Sequence, residues 1–226
     1  MAEFTIYIGN KNYSSWSLRP WLALKQTGAA FEEVLIPLHQ SDSAANLRRR
    51  SPSGRVPVLQ HHSLVVWESL AICEYLAEQF PAARLWPEDR EARAHARAVS
   101  NEMHGGFADL RTYLPMDINR RWPLGNRMAK AGRDIERVTA IWRECRARFG
   151  SRGANGAGDF LFGGFTIADA MFAPVVTRFG TYSVPLDPVC SAHVSAVQHW
   201  PGMLEWTAAA QAEPWVINDD VNAGAA

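Results

Sequence analysis

Apolar and mixed positions alternate from Phe4 to Ile8 with the period of two expected of a strand. Phe31 to Leu38 carries a second run of the same kind. Between them Leu18, Trp21 and Leu22 fall at i, i+3 and i+4, on one face of a helix; Pro20 suits its first turn, where an N–H would be unpaired anyway, and Gly28 supplies the stop. Val58 to Gln60 and Leu64 to Trp67 then flank His61-His62-Ser63, a connection short enough for a hairpin, and Ser69 to Gln79 is an amphipathic helix ending at Pro81. The chain thus opens as β-α-β and continues as β-β-α. A right-handed crossover makes the first two strands parallel and the hairpin makes the last two antiparallel, so the sheet is mixed and four-stranded.

That α/β order is the thioredoxin-like pattern. From Glu88 onward strand signals stop, and helical segments at about 88–114, 128–149, 166–182 and 201–212 take over. The shift predicts two domains: an α/β domain over 1–81 and an all-helical one over 88–226, joined by Pro81 to Pro87, whose two prolines limit helix formation. Ser151 to Gly158 reads as a glycine-rich surface loop and Asn218 to Ala226 as a frayed tail.

Composition narrows the function classes. Of 226 residues 47% are hydrophobic and 20% charged, and 23 basic residues balance 23 acidic ones, as in a soluble globular protein. No nucleic acid partner is implied, since the Arg48-Arg49-Arg50 run suits a solvated helix face. No export signal follows Met1, and no stretch reaches the roughly 18 to 20 apolar residues of a membrane span. Cys73, Cys145 and Cys190 are odd in number and lack a Cys-x-x-Cys pair, which argues against a disulfide framework or a metal site and for a cytoplasmic protein.

Three short stretches carry candidate chemistry. In Asn12-Tyr13-Ser14-Ser15-Trp16-Ser17-Leu18-Arg19-Pro20, serines crowd a helix N-terminus. A serine there either caps the helix or donates its hydroxyl to a thiolate held at the helix's positive end. Making a thiol largely anionic at neutral pH takes a pKa reduction of roughly two units, on the order of 2.7 kcal/mol. A helix terminus supplies roughly 0.3 to 2 kcal/mol and a hydrogen bond to a charged group about 1.5 to 3, so the two together suffice. In Arg55-Val56-Pro57-Val58-Leu59 the proline is either an edge device or part of a cis Val56-Pro57 bond that turns the Val56 backbone toward a peptide ligand. In Trp67-Glu68-Ser69, at a strand-to-helix junction, Ser69 suits an N-cap and Glu68 a solvated charge; together they also suit the two charges of an α-amino acid head group.

In this order and spacing SSWSLRPWLAL, RVPVL and ESLAICEYL resemble the glutathione-binding half of cytosolic glutathione transferases, above all the serine-type zeta class. LWPEDREARAHARAVSNEMHGGFADL and FTIADAMFAPVV are similar to parts of that family's helical domain, the second to a buried helix opened by the capping pair Thr166 and Asp169. The resemblance implies a homodimer that uses glutathione as co-substrate. It puts Ser14, with Ser15 as the competitor, in the thiolate-activating role. It assigns Val56 and Pro57 to the cysteinyl backbone, Glu68 and Ser69 to the γ-glutamyl end, and His39, Gln40 and Arg55 to the glycine carboxylate.

A second substrate, a small electrophile, is expected near the thiolate against Trp16, Phe107, Arg111 and Arg178; Met103, Leu110, Tyr113 and Trp122 fit the same stripe or the core. The implied activity is transfer of glutathione to an electrophile or reduction of a peroxide. A maleylacetoacetate isomerase-like reaction is an alternative, weighed down by Trp16 where the family has cysteine and by Thr181 where it has arginine. A non-catalytic glutathione-binding protein is a further one.

Overall fold

A computed structural model describes residues 3–151 and 157–217. The loop expected at Ser151 to Gly158 lies largely outside the described residues, and the tail expected from Asn218 lies wholly outside them.

Strands β1 (Phe4–Ile8), β2 (Phe31–Leu35), β3 (Val58–His61) and β4 (Leu64–Trp67) form one sheet in the order β2-β1-β3-β4. β1 runs parallel to β2 and antiparallel to β3, and β3 and β4 form the hairpin. Helices α1 (Ser15–Thr27) and α3 (Ser69–Gln79) pack on each other. β1 is buried along nearly its whole length, with Phe4, Ile6 and Ile8 in the main core and Tyr7 in a smaller cluster with Ile36 and Val58.

Four local expectations are corrected. β2 stops at Leu35, because a strand reaching Leu38 would need a ladder N–H from Pro37. Pro20 stands in the sixth position of α1, not its first turn, so the carbonyl of Trp16 gives up its helical N–H partner. Between β2 and β3 lies a helix that periodicity did not reveal, α2 (Ser43–Arg50), whose only buried residue is Ser43. The expected helix over 88–114 is two helices, α4 (Arg90–Gly105) and α5 (Ala108–Tyr113), broken at Phe107, whose φ of 62° is left-handed.

Helix α6 (Arg127–Phe149) and helix α7 (Ile167–Thr181) match their predicted spans closely. Thr166 and Asp169 form the capping box: Asp169 Oδ2 accepts from the Thr166 N–H at 2.8 Å, and Oδ1 accepts from the Leu161 N–H at 2.9 Å. Helix α8 (Pro188–His199), also unforeseen, precedes α9 (Pro201–Gln211); Asp187 caps it with bonds from the Val189 and Cys190 N–H groups. All but Gly180 of α7 is buried, and α7 packs on α1, so one continuous core joins the sheet layer to the helices. No helix among the described residues is long and apolar enough to cross a membrane.

Candidate functional site

The chain leaves β1 through Gly9 into the loop that ends at Ser14, the residue before α1. A side chain at Gly9 would put its Cβ 2.7 Å from Leu38 Cδ1 and 3.2 Å from Ser14 Oγ, so it would have to displace the Leu38 side chain that lines this corner. Ser14 stands at the N-cap, yet its hydroxyl caps nothing. It donates to Ser17 Oγ at 2.8 Å, and Ser17 Oγ also accepts the Gly9 N–H at 3.0 Å. The capping duty expected of a serine here is thus unfilled, and the first-turn N–H groups of α1 keep their positive end.

Two adjoining cavities open at this helix end. The larger, about 430 Å3, is lined by Tyr13, Ser14, Ser15, Trp16, Val56 and Arg55 together with Leu38, Leu47, Gly54, Arg111 and Arg178. The smaller, about 180 Å3, is lined by Trp16, Ser53, Arg55, Val56, Pro57 and Glu68. The Val56-Pro57 bond is cis. Glu68 has φ 71° at the entry to α3, a left-handed backbone that costs a residue with a Cβ on the order of 1 to 3 kcal/mol. Ser69, beside it, opens α3 rather than capping it, and its fully buried Oγ has no hydrogen-bond partner.

Seven predicted residues therefore line the larger cavity: Ser14, Ser15, Trp16, Arg55, Val56, Arg111 and Arg178. Pro57 and Glu68 line the smaller. His39 and Gln40 lie exposed in the turn before α2 and line neither; the Gln40 N–H donates to Ser43 Oγ and its side-chain amide to the Leu38 carbonyl. Phe107 also lines neither, because it is buried in the core at the α4–α5 break, and Met103 and Leu110 share that core. Tyr113 lies under the Lys130 ammonium, and Trp122 donates Nε1–H to Asp117 Oδ2 at 3.2 Å.

Three arginines gather at this end of the site, and all are at least partly buried. Arg178 is buried, with Nε donating to the Leu114 carbonyl at 2.8 Å and Nη1 to the Pro174 carbonyl at 3.1 Å. Arg111 is half-buried and donates to the carbonyls of Met103 and His104. Arg19, which the sequence reading left without a role, is 1% exposed, and its Nε and Nη1 have no hydrogen-bond partner. The Arg19 and Arg111 guanidiniums lie 4.4 and 4.6 Å from the Trp16 ring.

None of the three arginines forms an ion pair among the described residues. Burial, then the charges of Arg111 and Arg178, press the Arg19 pKa well below its usual value. Burial and Arg111 push Arg178 down to about 9, still a cation at neutral pH. Burial likewise lowers His104, whose ring meets Trp16 edge-on and lies 3.9 Å from Glu68. Burying cations without anions is costly, so this corner favours any anion that enters.

Leu47 and Tyr13 were missed for different reasons. Leu47 sits on α2, whose short run has no full apolar stripe, although Asp42 before Ala44 and Ala45 is a start signal. Tyr13 and Leu38 are loop residues that only the chain's return brings together.

Comparison with known proteins gives this geometry its relatives. The family model for the glutathione S-transferase N-terminal domain matches residues 13–79. A probable maleylacetoacetate isomerase of Caenorhabditis elegans is 31% identical over 176 residues, 77% of this chain and 78% of that protein. The maleylacetoacetate isomerase of Rattus norvegicus is 28% identical over 187 residues, 81% of each chain. A glutathione transferase homolog from Burkholderia gl BGR1, solved with bound glutathione, superposes with a TM-score of 0.68 at 25% identity, over 92% of this chain and 98% of that one. The holo structure of a zeta-class bacterial maleyl pyruvate isomerase gives 0.70 at 23% identity, over 92% and 99%, a likeness of fold. With a relative this similar across most of both lengths, and a thioredoxin-like sheet leading into a serine-rich helix end, the chain belongs to the glutathione S-transferase family.

Proposed function

We propose that this protein is a glutathione transferase that holds the thiol of bound glutathione as its thiolate at the amino end of α1, with Ser14 as donor and the thiol proton released to solvent, and joins the glutathionyl sulfur to a small electrophile bearing an anionic group. The observation that carries the reading is the Ser14 hydroxyl: it stands at the N-cap, caps no helix N–H, gives its proton only to the neighbouring Ser17 Oγ, and lines the larger cavity. On thiolate binding the Ser14 proton turns from Ser17 Oγ to the sulfur, and the Ser17 hydroxyl turns to donate to Ser14 in its place. Ser17 stays anchored by the Gly9 N–H throughout. Ser15 lines the same cavity and is the competing donor.

The tripeptide then lies along the smaller cavity. The Val56 backbone before cis-Pro57 pairs with the cysteinyl unit as an added strand does. Glu68, in the lining, receives the γ-glutamyl ammonium; Ser69 Oγ, buried without a partner just behind that lining, is the candidate donor to its carboxylate. Arg55 is the candidate for the glycine carboxylate; His39 and Gln40, outside both cavities, rank behind it.

The electrophile occupies the larger cavity, its anionic group toward Arg111 and Arg178, with Arg19 adding positive charge from behind Trp16. This cationic corner, with relatives that bear the name maleylacetoacetate isomerase, keeps a glutathione-dependent double-bond isomerisation as the second reading. Arg178, although a turn before Thr181, still reaches the cavity, while Thr181 is spent on the Asp117 carbonyl at 2.7 Å.

The test is a titration of thiolate absorbance with bound glutathione, comparing the parent with Ser14→Ala and Ser15→Ala. Loss of the Ser14 donor removes about 1.5 to 3 kcal/mol, so the thiol pKa rises by about one to two units and turnover at neutral pH falls in step. A shift in Ser15→Ala alone would transfer the role to Ser15, and no lowered pKa in the parent would leave a binding protein. Small carboxylates inhibit competitively with an anionic electrophile; an uncharged aryl halide turned over equally well and untouched by them would remove the anion preference.

A further inference from the structure

We propose that Glu3, His61 and His62 form a binding site for a divalent transition-metal ion, zinc(II) or a close analogue, at the end of β1 opposite the serine cluster. This departs from the absence of metal that the cysteine pattern suggests; the donors here are imidazoles and a carboxylate. His61 Nε2 lies 2.9 Å and His62 Nε2 3.5 Å from Glu3 Oε1, and one ligand atom from each residue fits within 4.8 Å of the others. Zinc bonds imidazole nitrogen and carboxylate oxygen at about 2.0 to 2.2 Å, so tetrahedral ligand atoms stand about 3.3 Å apart. The observed separations straddle that value.

Backbone geometry assembles this set. Neighbouring residues on a strand point to opposite faces, which would separate the two histidines. His61 ends β3, but His62 takes φ 54° in the turn, and the two rings come to lie 4.7 Å apart at 31°. Register then sets Phe4 opposite His61, so Glu3 lies beside the imidazole pair. Phe4 stacks on the His61 ring at 4.2 Å and fixes its plane.

A second shell is in place as well. His61 Nδ1 is 2.6 Å from the Tyr75 hydroxyl, which can serve either tautomer. Without metal, Nε2–H donates to Glu3 and Nδ1 accepts from the Tyr75 O–H. With metal, the Nε2 lone pair ligates, the ring proton sits on Nδ1, and Nδ1–H donates to the Tyr75 oxygen. Two imidazoles and one carboxylate favour zinc, nickel or copper over calcium or magnesium, which take oxygen donors. Water would complete the coordination, since Glu3 and His62 are exposed.

Isothermal titration of the full chain with zinc(II), and visible absorbance with cobalt(II), test the site against Glu3→Gln, His61→Gln and His62→Ala. The parent binds one equivalent at the site, each variant binds it more than about tenfold more weakly, and cobalt gives tetrahedral-type bands in the parent that the variants lose. Transferase activity of His62→Ala stays at the parent's level, which separates failure of this site from failure of the thiolate reading. No such equivalent in the parent, or variants that bind as the parent does, would overturn the proposal and leave Glu3 and His61 as a hydrogen-bonded pair.

Discussion

His193 shows how one buried side chain ties stability to pH. It is fully buried, its Nε2 has no partner, and Trp142 meets its ring at 4.7 Å. Burial pushes its pKa down to about 3. The unfolded chain, near 6.5, takes up the proton first, so this contribution is whole above about pH 6.5 and falls by about 1.4 kcal/mol per unit as pH drops toward 3. Asp169, 3.8 Å away, has the opposite sign, because burial raises it to about 6 and its cost is relieved on acidification. The parent profile is therefore flattened, and the histidine must be isolated by difference. Urea unfolding of His193→Gln at pH 7 and pH 5 should show the stability gap to the parent shift by about 2 kcal/mol in the variant's favour at the lower pH. An unchanged gap would mean that His193 takes up its proton in the folded protein as readily as in the unfolded chain.

At the scale of elements, the loop that presents Ser14 is held from the far end of the chain. Glu213, just beyond α9 and half-buried, accepts the Lys11 N–H at 2.7 Å and the Asn12 N–H at 3.2 Å. Trp206 Nε1–H donates to the Lys11 carbonyl at 2.9 Å, and Asn12 bridges to Asp117 and to the Asn119 N–H. The serine is thus positioned by α9 as much as by α1. Glu213→Ala leaves two backbone donors without acceptors and should cost about 1 to 3 kcal/mol of stability. kcat should fall more than the KM for glutathione rises, and Glu213→Gln, which keeps one acceptor oxygen, should recover part of both losses. Parent-like kinetics in Glu213→Ala would show that the loop holds its shape without the clamp.

For the whole molecule, the sheet ends on β4, where Leu64 and Trp67 remain 46% and 43% exposed. The family resemblance implies a two-fold dimer, and an apolar edge of this kind suits burial against a partner. Light scattering should give about twice the 25.1 kDa chain mass, and Leu64→Glu with Trp67→Ala should lower it toward one chain. A parent of single-chain mass would rule the dimer out.

The sequence by itself determined the elements whose pattern is local and strong: β1 with its period of two, the β3–β4 hairpin around its short connection, the apolar run of α7 with its capping pair, and the serine- and proline-bearing stretches at the ends of elements; that the Val56-Pro57 bond is cis came from the structure. It did not reveal α2 or α8. α2 is mostly exposed and shows almost no buried face, while α8 buries only three residues and so leaves a weak stripe. Tertiary structure alone decided that Phe107 packs inward, that Arg19, Arg111 and Arg178 gather beside Trp16, and that Glu213 holds the loop before Ser14. The physical reason is common to these cases. Burial of a charge and contact between residues far apart in the chain depend on how the layers close on one another, and no spacing along the sequence encodes that distance.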